Sequence, residues 1–91
     1  ATTIDTFVAA TFTSGKFVIQ VSDGADIQIT ELLVAHNGTT AYSTEYGAVY
    51  TNTLLAGFEA IYETGNVKLM ATAKTASALN YTISKQMISK P

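Results

Sequence analysis

Apolar residues recur at every second position through most of this chain. Phe17, Ile19 and Val21 alternate with Lys16, Val18, Gln20 and Ser22. Successive side chains of an extended strand point to opposite faces, so this period makes 16–22 a half-buried strand. The same spacing returns in 54–62, with Leu54, Ala56, Phe58, Ala60 and Tyr62 on one face. It returns in 67–73, where Val67, Leu69, Ala71 and Ala73 oppose Lys68, Met70 and Thr72, and in 79–88, where Leu79, Tyr81, Ile83, Lys85 and Met87 share a face. No amphipathic helical period competes with it. Short turns between such runs make neighbours in sequence neighbours in a sheet. The expectation is an all-β fold, an antiparallel β-sandwich of about seven strands with short hairpin turns, or a small barrel. At 91 residues the chain forms a single domain, 1–91.

The centre of the pattern is a hairpin. Residues 27–36 and 41–50 flank Asn37-Gly38-Thr39-Thr40, and Asn-Gly between alternating runs marks a tight turn because both residues tolerate positive φ. If His36 faces Ala41, Val34 lies beside Ser43 and Leu32 beside Glu45. In 27–36, Ile27 and Ile29 alternate with Gln28 and Thr30, and then Leu32-Leu33-Val34-Ala35 is apolar on both faces. That change predicts a bulge near Thr30 or Glu31. In 41–50, Tyr42, Thr44, Tyr46, Ala48 and Tyr50 fall on one face, and Gly47 marks a bulge or a close backbone approach. Asp23-Gly24-Ala25-Asp26 and Glu63-Thr64-Gly65-Asn66 read as turns, Thr51-Asn52-Thr53 and 74–78 as loops. Residues 4–12 read as an edge strand or an extended arm spanning 1–12.

Composition narrows the function. The chain has five Lys and no Arg, and its net charge is −2. Arg is the preferred residue for bidentate phosphate and base contacts, so the expectation is no nucleic-acid partner. No run reaches the ~20 apolar residues of a membrane-spanning helix, so no membrane partner is expected. Without cysteine there is no disulfide and no thiolate metal site. Residues 1–5 lack the basic start and apolar centre of a signal peptide, and a small first residue suits loss of an initiator Met; a leader cleaved before Ala1 fits too. Charged residues are 13% of the chain, about half the ~25% of an ordinary domain. Either part of the surface is covered in an assembly, or the chain follows the Thr-, Ser- and Asn-rich style of extracellular and virion β proteins.

Candidate sites each have a plain structural alternative. His36, the single histidine, could act as a base or ligand beside Glu31 or Glu45, but reads better as a strand-end residue bonded to the turn. Glu31 and Glu45, on adjacent strands, could form a carboxylate pair of the glycosidase kind, but two carboxylates in a hairpin are usually solvated. Asp23 and Asp26 could offer oxygen to calcium, but fit turn chemistry more simply. No catalytic, cofactor or metal residue is assigned, and no enzyme is expected. Tyr42, Tyr46 and Tyr50 form either an exposed aromatic platform for sugar or protein, or a core face with its hydroxyls at the rim. Phe7 and Phe12, in the arm, are candidate contacts to a neighbouring subunit on which the arm would order.

The run Val34-Ala35-His36-Asn37-Gly38-Thr39-Thr40-Ala41-Tyr42-Ser43-Thr44-Glu45-Tyr46-Gly47 resembles a pattern in small virion structural proteins and fibre domains of tailed phages, marine and cyanobacterial ones especially. There a strand similar to Phe17-Val18-Ile19-Gln20-Val21, then Asp-Gly, precedes the hairpin. A later Gly-Asn-Val-x-Leu resembles Gly65-Asn66-Val67-Lys68-Leu69, and a Thr/Ser/Ala segment follows. The likeness spans about 16–84 and departs at the N-terminal arm and at 85–91. It implies a non-enzymatic protein located in the virion: a capsid decoration or cement protein, homo-oligomeric in the particle and in contact with the major capsid protein or tail proteins. The alternative it implies is a tail or fibre component that binds carbohydrate or receptor through Tyr42, Tyr46 and Tyr50. No residue is carried over as catalytic.

Overall fold

The computed structural model describes residues 1–90 as seven strands in two antiparallel sheets. They are β1 (Thr2–Val8), β2 (Phe12–Ser22), β3 (Ile27–His36), β4 (Ala41–Tyr50), β5 (Ala56–Glu63), β6 (Asn66–Ala73) and β7 (Asn80–Ser89). One sheet has the order β1-β6-β5, the other β4-β3-β2-β7. The alternation read from the sequence sets the inner faces. Phe17, Ile19 and Val21 of β2 and Leu32 and Val34 of β3 are buried against Phe58 of β5 and Val67, Leu69 and Ala71 of β6. The fold is the antiparallel β-sandwich that the spacing predicts.

The β3–β4 register matches expectation, with His36 opposite Ala41, Val34 opposite Ser43 and Leu32 opposite Glu45. The register shifts at the expected level, between Glu31 and Leu32, but the extra residue lies on the partner strand. Strand β3 alternates without interruption at Thr30 and Glu31; the extra residue is Tyr46 on β4, between Glu45 (opposite Leu32) and Gly47 (opposite Glu31). Gly47 therefore marks the strand that bulges, and the change of pattern in β3 marks the level at which it does. Leu33 and Ala35 are simply exposed on the outer face.

Residues 2–8 form an edge strand paired with β6, with Phe7 opposite Val67, rather than a free arm. Phe7 is 7% exposed and meets the Phe12 ring edge-on at 6.3 Å. Its aromatic surface is used by the chain's own core, which corrects its assignment as a contact to a neighbour. Phe12, half-buried, packs against the same core.

The inner face of β3 holds a polar surprise. Gln28 and Thr30, not Ile27 and Ile29, point inward, and Gln28 is fully buried. Its Oε1 accepts the N–H groups of Leu55 at 2.6 Å and Ala56 at 3.0 Å. Its Nε2 donates to Thr30 Oγ1 at 2.8 Å and to the Ala56 carbonyl at 2.9 Å. A glutamine amide has two donors and two acceptor lone pairs, and all four are in use. Burial without partners would cost several kcal/mol; saturated, the amide instead fixes where β5 begins.

Two turns share one wiring. Asp23 Oδ1 accepts the N–H groups of Ala25 and Asp26, and Asn37 Oδ1 accepts those of Thr39 and Thr40. In both, the next residue is a glycine at positive φ, Gly24 at 96° and Gly38 at 93°. Asn37 itself is not at positive φ, so the tight pair is Gly38-Thr39 rather than Asn-Gly, with glycine first as in a type II′ turn. The β5–β6 turn is of the other kind: Thr64 (φ 51°) and Gly65 (φ 79°) both lie in the left-handed region. A β-branched residue is strained there.

Two outcomes follow. Gln28→Leu leaves the Leu55 and Ala56 N–H groups without partners, and should lower stability by about 3 kcal/mol in urea denaturation. Thr64→Asn places a residue tolerant of positive φ in the turn, and should stabilise by about 1 kcal/mol, a rise of about 4–8 °C in Tm by calorimetry.

Candidate functional site

The residues singled out in the sequence do not converge. Leu32 faces the core and pairs with Glu45, so Glu45 lies on the inner side of its sheet; Glu31 pairs with Gly47 on the outer side. The two carboxylates point to opposite faces, which removes the glycosidase-like pair. Glu45 instead accepts the Phe58 N–H at 2.5 Å, and Ser43 Oγ accepts the Ala60 N–H at 3.1 Å. With Gln28 on Ala56, they form a column of side chains covering the free edge of β5.

His36 is held from both ring nitrogens. Gly38 N–H donates to Nδ1 at 2.9 Å, which leaves Nε2 as the protonated nitrogen, donating to the Phe12 carbonyl at 2.6 Å. Its ring lies 6.2 Å from Phe7 and 5.9 Å from Tyr62. The histidine ties the hairpin tip to the start of β2. Asp23 is held by its turn, and Asp26 Oδ1 accepts from the Thr51 hydroxyl at 3.0 Å. Among the described residues no group of three or more His, Asp or Glu could hold a metal ion.

The bulge also breaks the tyrosine stripe. Tyr42 pairs with Ala35 on the outer face, Tyr50 pairs with the inward Gln28, and Tyr46 is the bulge residue itself. All three are about half exposed, but they do not form one platform.

What does emerge is a face. The outer side of the four-stranded sheet presents Ile27, Ile29, Leu33, Tyr42, Val49 and Ile88, with Leu33 48% and Val49 70% exposed. Two shallow grooves cross it, one of about 480 Å³ beside Leu33, Tyr42 and Ile88, the other of about 280 Å³ beside Val18, Ile29 and Val49. Among the described residues its charged side chains are Lys16 and Glu31. The outer side of the three-stranded sheet is dressed differently: Glu59, Glu63 and Lys68 lie on it, and Lys68 is ion-paired with Glu63. Sequence reasoning missed the face because Ile27 and Ile29 look like core residues until Gln28 is known to point inward.

Comparison with protein-family models, with curated proteins and with solved structures gives no match.

The Asp23 turn carries a pH signature. Its backbone hydrogen bonds from Asp26 and Ala25 hold the carboxyl below its ordinary value of 3.8. A lowered folded-state value contributes stability above the unfolded-state value and loses it as pH falls through the folded one. Asp23→Asn keeps the acceptor but cannot titrate, as in the Asn37 turn. Melting curves below pH about 4 should therefore fall less steeply for Asp23→Asn than for the parent chain.

Proposed function

We propose that this chain is a non-enzymatic structural protein of a tailed-phage virion, acting as a capsid decoration or cement protein among neighbouring subunits. The observation that carries the reading is the asymmetry between the two outer faces. The three-stranded face bears paired and unpaired charge, whereas the four-stranded face leaves Ile27, Ile29, Leu33, Tyr42 and Val49 in water. A small domain with a cluster of exposed apolar side chains on the β3 and β4 part of one face is stable in solution at a cost in solubility, and covering that cluster in an assembly removes the cost. The resemblance of the 34–47 hairpin to phage virion proteins supplies the kind of assembly. The scarcity of charge over the whole chain agrees with it.

The side-chain chemistry supports a scaffold role. His36, Glu45 and Asp23 are each engaged with backbone groups of their own chain, so each stabilises a turn or a sheet edge. Quantitative mass spectrometry of purified particles tests the reading. A copy number comparable to the major capsid subunit is the expected result. A handful of copies per particle would make the chain a tail or fibre part, and absence from particles would overturn the virion assignment.

A further inference from the structure

We infer that the outer face of the four-stranded sheet is covered by a second copy of this chain, packed face to face about a two-fold axis that sets Lys16 of each copy against Glu31 of the other. The inference rests on the reading above, that this face is covered, and names what covers it.

Charge is the first argument. Lys16 lies on β2 opposite Leu33, and Glu31 lies on β3 opposite Val18. They are therefore diagonal neighbours near the middle of the face, one positive and one negative. Neither joins an ion pair among the described residues. A two-fold axis lying in the interface and passing between them exchanges the two positions, so each lysine meets a glutamate. An isologous contact needs one patch that complements itself, and a face with one cation and one anion at its centre does so. A face built for a differently charged partner has no need of that balance.

Area is the second argument. Four strands of about ten residues, about 4.8 Å apart and rising about 3.3 Å per residue, give a face of roughly 600 Å². The overall extents of 42 × 20 × 16 Å put this on the broad side of the molecule. Two such faces hide roughly 1,200 Å², at the lower end of the range for specific interfaces. Ile29 and Leu33 flank Glu31 on β3 and Val18 lies across from it, while Lys16 on β2 lies between Leu33 and Gln86. Both ions are on the two inner strands of the sheet, so they sit away from the rim of the face. There, juxtaposed like charges are strongly unfavourable.

Sedimentation velocity of the whole chain from about 1 to about 100 μM tests this. The parent should pass from monomer to dimer in that range. Lys16→Glu and Glu31→Lys, each alone, set like charges together and should weaken association at least about tenfold. An equimolar mixture of the two variants should recover the parent's association, because every contact is then between opposite charges. Circular dichroism should show both variants folded, since both side chains lie on the outer face. A parent that stays monomeric, single variants that dimerise like the parent, or a mixture that fails to recover would overturn the inference. A monomeric chain found in particles overturns the inference alone, and a dimeric chain absent from particles overturns only the virion reading.

Discussion

The buried amide of Gln28 is the contact from which the sandwich takes its shape. Two sheets stacked on apolar side chains can slide, because the hydrophobic effect has no direction. Three hydrogen bonds from one side chain, reaching from β3 to Leu55 and Ala56 at the start of β5, remove that freedom, and a fourth holds the amide against Thr30 of its own strand. The Lys74 N–H donates to the Leu55 carbonyl at 2.8 Å, so the chain leaving β6 is tied to the same corner. Thr30, also buried, needs its partner in Gln28, and the two polar residues stand or fall together.

Glu45 and Ser43 extend that corner along the edge. β5 is the last strand of its sheet, and its outward N–H groups would otherwise be open to another chain. Side chains from β4 fill them without merging the two sheets into a barrel. At the opposite side the closure is looser: Lys85 of β7 reaches Asp5 of β1 at 2.8 Å, a single, partly exposed ion pair. Such a pair adds little to stability. The molecule thus has one firmly hydrogen-bonded corner and one lightly fastened one.

Several elements were legible in the sequence for physical reasons that also hold in the fold. The alternation of Phe17, Ile19 and Val21 reports a strand wet on one side, and the His36–Ala41 register follows from a short turn. Other features depend on partners remote in the chain. An inward glutamine is acceptable only because two N–H groups wait 27 and 28 residues away, and nothing near Gln28 announces them. The unexpected inward side of β3 then made the isoleucines surface residues. One extra residue at Tyr46 reversed the sides of everything after it on β4, so Tyr42 and Tyr50 parted; Glu31 and Glu45 face opposite sides for a simpler reason, since Glu45 pairs with Leu32, the neighbour of Glu31. Residues 2–8 were ambiguous because an edge strand and an arm share a composition. The pairing with β6, across more than sixty residues, decides between them.

That bulge has a further consequence for how copies can join. β4 is an outer strand, ten residues long, exposed at almost every position and free of proline. An uninterrupted strand of that kind is a template for addition of strand upon strand, each new copy offering another edge. The irregularity at Tyr46 divides it into two short segments out of step with each other, so an incoming straight strand can match one and must miss the other. Lateral growth is thereby made poor while the broad face stays open. A pair closed on the broad face, as proposed, would then not become the first link of a fibre.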